Sequence, residues 1–143
     1  MFRLPPIKLW RNISIIEFII AIVFTFIGMF TISDNLVIHW DGEGIPNNST
    51  GKWILWALLL MAFLSMFTHV SFSKERPGKN ALSIEMSGAF SSGLVSTWTT
   101  IIVILVIYNF YSLTVIPIIG TMVIILYYIL FLIIAYIRNK NVK

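Results

Sequence analysis

Charge and cysteine are what this chain lacks. Asp, Glu, Lys and Arg make up only 11% of its 143 residues, against about 25% in an ordinary soluble domain, so most of its surface cannot face water. Cysteine is absent, which excludes disulfides, thiolate nucleophiles and cysteine metal sites together and leaves the redox compartment unread. The 2 histidines come without a His-Glu-x-x-His pair, and neither a Gly-x-Ser-x-Gly elbow nor a phosphate-binding glycine loop occurs. Catalysis therefore has no footing in the motifs, and no catalytic residue, cofactor or metal ligand is expected.

What the chain has instead is apolar length. Four runs reach bilayer-spanning size, at about 13–32, 53–71, 94–113 and 115–137. At 1.5 Å per residue, about 20 residues cover the roughly 30 Å hydrocarbon core. With no water to satisfy free backbone groups, each run must be helical, and the unbroken runs lack the alternation of barrel strands. The fold class expected is all-α, a polytopic membrane protein of four transmembrane helices forming a single membrane domain. The first run is too long for a secretory h-region and ends Phe30-Thr31-Ile32-Ser33 with no small-x-small cleavage site, so it reads as a retained helix.

The net charge of +4 comes from 10 basic and 6 acidic residues, and its placement tells more than its size. Arg3, Lys8 and Arg11 precede the first run; Lys74, Arg76 and Lys79 lie in the loop at about 72–90; Arg138, Lys140 and Lys143 follow the fourth run. Only Lys52 falls in the opposite set, in the loop 33–52. Basic residues gather on the cytoplasmic side, so both termini are expected to be cytoplasmic and the 33–52 loop external. The basic residues flank apolar runs and do not form one face, which assigns them to a bilayer and not to nucleic acid. The expected place is a cell membrane, crossed several times.

Trp10, Trp53 and Trp56 lie near predicted span ends, where interfacial anchors belong. Gly88, Ser92, Ser96 and Thr100 recur every four residues, a small-residue stripe for close helix approach, within the molecule or across a dimer seam. Charged groups inside a span are costly and mark function by default; Glu17 alone qualifies, about 6 Å into the first run. His69 falls at a similar depth in the second run, so the two either touch or are each solvated near the headgroups. Asn109 and the threonines Thr97, Thr99 and Thr100 can bond to their own or a neighbouring helix. They form no ion pathway, and no ionisable group is expected near midplane, which disfavours a transporter.

The external loop is the informative segment. Gly42, Gly44, Pro46 and Gly51 crowd its second half with turn residues, predicting a compact structure. With a single aliphatic cluster, Leu36 to Ile38, it cannot bury a core of its own and must fold onto helix ends. Trp40 is the largest group for that docking, its N–H finding a partner, while His39 ties down backbone exposed by the turns. If the chain were extended from His39 to Glu43, His39, Asp41 and Glu43 would share one side and could hold a divalent cation. The competing reading is a solvated polar surface.

Ser33-Asp34, Val37-Ile38-His39-Trp40-Asp41, Gly44-Ile45-Pro46-Asn47 and Gly51-Lys52 follow one another between the first and second runs. This arrangement resembles the domain of unknown function 1648 of bacterial membrane proteins related to SdpI-type immunity proteins. In that family the loop reads Pro-Asp, then Pro-x-His-Phe or Pro-x-His-Trp, Asn or Asp, two residues, Gly-x-Pro-Asp and a terminal Ser-Lys or Gly-Lys. Here Ser33 and Val37 stand where the family has proline, and Asn47 where it has an acid. The resemblance covers roughly Glu17 to Trp56. It implies a loop motif of His39, Trp40, Asp41, Gly44, Pro46 and Lys52, and a role in protecting against or sensing an extracellular toxic peptide, with a cytoplasmic regulator or membrane partner. The alternative is a structural or accessory subunit of a larger membrane complex or transporter.

Overall fold

The structure, a computed structural model, describes the backbone of residues 6–73 and 81–140 and the side chains of 8–68 and 85–138. Among the described residues four helices run alternately up and down: α1 (Pro6–Thr31), α2 (Ile54–Ser73), α3 (Ala81–Tyr111) and α4 (Val115–Lys140). Two strands, β1 (Asn35–Trp40) and β2 (Pro46–Gly51), form a hairpin between α1 and α2. Among the described residues, three stretches are long and apolar enough to cross a membrane: Lys8–Thr31, Glu85–Tyr111 and Val115–Arg138. The apolar stretch described in α2, Ile54–Thr68, is shorter. The all-helical framework matches the sequence reading, and the hairpin is an addition to it.

α3 is the hub. It packs against α1, α2 and α4; α1 and α2 also meet, whereas α4 packs chiefly on α3. Of its span 56% is buried, against 22% for α1 and 17% for α4. Side-chain size explains this. A Cβ at Gly88 would lie 2.5 Å from Trp10 Cδ1, and one at Gly93 would lie 2.6 Å from Tyr128 Cε1. Glycine at these positions lets α1 and α4 bring aromatic rings onto the α3 backbone.

Those same small residues hide the start of α3 from a hydropathy reading. The helix begins at Ala81, well before the Leu94 predicted, so the expected loop at about 72–90 is helical from Ala81 onward. Ser91 and Ser92 are fully buried, and packing decides their place where apolarity cannot. At the far end Ser112 takes φ of 51° and its N–H reaches the Tyr108 carbonyl at 2.7 Å, a left-handed cap that turns the chain into α4 within three residues.

Trp10 corrects a further expectation. It is fully buried, with its ring edge-on to Phe131 at 5.2 Å, so it is a core residue of the α1–α3–α4 contact and not an interfacial anchor. Trp53 is 69% exposed and remains free to serve as one. The main core cluster lies at the hairpin end and joins Ala21, Leu36, Leu55, Ile102, Leu105 and Val106.

Candidate functional site

The hairpin is built from strand alternation. Leu36, Ile38 and Trp40 share one face and pack on the core cluster, while His39 is exposed on the other. The strands pair Asn35 with Gly51 and Val37 with Ser49, then shift so that His39 faces Asn48 and Trp40 faces Pro46. Pro46 opens its strand, where a missing N–H is tolerated. A lone two-stranded hairpin is marginal in water, so docking has to hold it. Leu36 is fully buried, worth roughly 1.5–3 kcal/mol. Trp40 meets Tyr108 of α3 edge-on at 4.8 Å.

Polar contacts complete the docking. Asn109 of α3 accepts the Val37 N–H at 3.1 Å and donates to the Leu105 carbonyl at 2.7 Å. Lys52 closes the base of the hairpin, lying 3.4 Å from Asp34 and 3.3 Å from the Ile32 carbonyl. At the tip, Asp41 Oδ1 accepts the N–H groups of Glu43 and Ile45, both at 2.9 Å, an Asx turn. Gly44 has φ of 81°, and a Cβ there would strike the Thr114 carbonyl, so glycine lets the tip sit against the α3–α4 turn.

These contacts revise several expectations. The strand ends at Trp40, so His39, Asp41 and Glu43 do not form an extended one-sided set, and among the described residues no three metal-ligating side chains converge. His39 Nδ1 pairs with Asn47 Oδ1 across the hairpin instead of holding the turn backbone. The Trp40 Nε1 is buried and has no partner among the described residues, where an N–H bond was expected. Asn109 is the hairpin's latch, a role its sequence position alone did not indicate.

A second feature lies deeper. Glu17 is nine residues beyond Lys8, about 14 Å along α1, because the helix starts earlier than the apolar run. It faces α3: Ser96 Oγ donates to Glu17 Oε1, and Thr99 Oγ1 donates to the Glu17 carbonyl at 3.2 Å. Glu17 Oε2 is buried without a partner among the described residues. The His69 side chain, and with it the expected Glu17–His69 pairing, lies outside the described residues; Ser96 is the partner seen for Glu17. Glu17 thus lies level with Ser96 in the α1–α3 contact.

The stripe is likewise accounted for. Ser92 Oγ donates to the Trp10 carbonyl at 2.9 Å and lies 3.0 Å from Ser14 Oγ. With Gly88 beneath Trp10 and Ser96 on Glu17, the stripe from Gly88 to Ser96 faces α1 within the molecule.

Glu85, inside the segment expected to be a loop at about 72–90, is not among the candidates the sequence offers. It is 2% exposed, accepting from Trp10 Nε1 at 2.8 Å and from Arg138 Nε at 2.9 Å. One carboxylate thus ties α1, α3 and α4 together opposite the hairpin end. No single-sequence pattern announces it, since its neighbours Ser83, Met86 and Ser87 are unremarkable in hydropathy.

α4 leans chiefly on α3, and clefts flank it. One of about 410 Å³ lies between α1 and α4, with Glu17, Ser96 and Tyr127 at one end and Phe24, Ile107 and Ile116 at the other. Another, of about 500 Å³, separates His39, Trp40 and Asp41 of the hairpin from Pro117, Thr121 and Ile125 of α4. Set beside family models, curated proteins and solved structures, the chain matches none.

Proposed function

We propose that this protein is a four-span bacterial cell-membrane protein, both termini cytoplasmic, whose hairpin recognises an extracellular toxic peptide in the manner of the SdpI-type immunity proteins its loop resembles. The observation that carries this reading is the docking of the loop motif as one unit: Asp41, Gly44 and Lys52 fix the hairpin, and Trp40 and Asn109 fasten it to α3. A rigid element beside an open cleft suits binding, because little ordering entropy is lost on contact. No group in the hairpin is arranged for covalent chemistry, and the role proposed is non-catalytic.

Four spans are supported by the full length of α2, whose 20 residues cover about 30 Å. The placement of the basic residues along the sequence supplies the orientation. The accessory-subunit alternative loses its main sequence support, since the small residues from Gly88 to Ser96 are covered by α1.

Two measurements test the reading. Reporter fusions after Lys143 and within 74–79 should read cytoplasmic, and fusions within 41–49 external; an external signal at Lys143 removes the four-span topology. A deletion strain should become sensitive to at least one member of a peptide-antibiotic panel, and be rescued by the wild-type chain but poorly by Trp40→Ala expressed at the same level. Unchanged sensitivity across the panel removes the immunity role.

A further inference from the structure

We propose that the cleft between α1 and α4 is a lateral binding site for a single-chain amphiphile bearing an amine, with the amine at Glu17 and the apolar chain running toward the hairpin end. This inference is independent of the hairpin's proposed role.

The cleft is polarised from end to end. Glu17, Ser96, Thr99 and Tyr127 gather at one end, whereas Phe24 and Ile116 line the other. The stretch of α3 from Ser96 to Ile107 is about 16 Å long, matching an extended chain of roughly twelve carbons. A volume of about 410 Å³ lies within the range of small-molecule sites. Because α4 packs chiefly on α3, the cleft is bounded on one side by α1, on the other by α4, and floored by α3. Such a groove opens sideways, where a molecule dissolved in the bilayer can enter.

The chemistry of the head follows from Glu17. Ser96 satisfies Oε1, but Oε2 is buried with no partner among the described residues. A buried acceptor without a partner is unfavourable, so a donor that enters the cleft and meets Oε2, once the Glu17 side chain turns to admit it, removes an existing penalty. None of the lining residues is cationic: Ser96 is the hydroxyl on the carboxylate, Thr99 is bonded to the Glu17 backbone carbonyl, and Thr100 and Tyr127 are the other hydroxyl-bearing residues of the lining. An amine is the complementary head. The pair shares one proton whichever partner formally holds it, and the site needs no other counter-charge. An alcohol would supply one neutral hydrogen bond, and a fatty acid would set two carboxyl groups against each other.

The test uses the full chain in detergent micelles and a diazirine-bearing dodecylamine as photoprobe, with dodecylamine, dodecanol and dodecanoic acid as competitors. Labelling should map to cleft residues such as Ile104 and Val123, and dodecylamine should compete at a concentration at least tenfold below dodecanol. Glu17→Gln should weaken dodecylamine about tenfold or more and leave dodecanol unchanged. Val123→Phe, which fills the cleft without touching the carboxylate, should abolish labelling. Should Glu17→Gln fail to fold, the amine-over-alcohol ratio of the wild type and the Val123→Phe result still decide. Equal competition by amine and alcohol, an unaffected Glu17→Gln, or labelling spread over the outer faces of α1 and α4 would each overturn the proposal.

Discussion

Asn109 grips Val37 from both sides of its amide. Its Oδ1 accepts the Val37 N–H at 3.1 Å and its Nδ2 approaches the Val37 carbonyl at 3.4 Å, so a helix side chain completes the backbone pairing of a strand. Asn109→Ala should release the hairpin while leaving the helices in place. Loss of the half-buried bonds should cost about 1–2 kcal/mol, seen as faster proteolysis within 41–50 with helical content unchanged. Equal cleavage rates would show that Leu36 and Trp40 suffice to hold it.

Asp41 separates a structural from a metal-binding hairpin. Its Oδ1 takes two backbone N–H groups, a task that a neutral amide oxygen also performs. Asp41→Asn should therefore keep the turn, and Asp41→Ala should loosen it by about 1 kcal/mol. Chelators should change hairpin proteolysis in neither variant. A chelator-induced cleavage in the wild type that Asp41→Asn abolishes would make Asp41 a cation ligand.

Glu85 joins three helices through one side chain. Glu85→Ala removes the acceptor from Trp10 Nε1 and from Arg138, and leaving the buried indole N–H without its partner costs about 1–3 kcal/mol in addition to the lost ion pair. Thermal unfolding in detergent should fall sharply. Trp10→Phe, which loses one hydrogen bond and keeps the ring, should cost only about 1 kcal/mol. A Glu85→Ala midpoint equal to wild type would mean that the ring packing of Trp10 on Phe131 holds this end unaided.

Gly88 sets the distance between α1 and α3. A Cβ there meets Trp10 at 2.5 Å, so Gly88→Val forces helix separation or ring displacement, at about 1–3 kcal/mol. Ser92→Leu should act similarly, since Ser92 sits against the Trp10 carbonyl. Unchanged melting of both would show that this face is not the α1 contact.

Apolar length alone determined the helices, because a chain with 11% charge must satisfy its backbone within each segment. The turn chemistry of Gly42, Gly44 and Pro46 likewise marked a compact loop. The hairpin register was not legible, since the shift after Val37 depends on where Trp40 finds Tyr108 and where Asn109 reaches the strand. The first turns of α3 were invisible for the opposite reason: Ser87, Gly88, Ser91 and Ser92 carry little hydropathy and belong in the bundle because Trp10 needs a flat surface to lie on. Glu17 stands out by residue type, but its contact with Ser96 of α3 is not legible in the sequence, because it depends on which helix faces meet. Glu85 and its partners Trp10 and Arg138 lie 75 and 53 residues apart in the chain. Segment properties add up locally and can be read from sequence; contacts at that separation exist only once helix packing has chosen which faces meet.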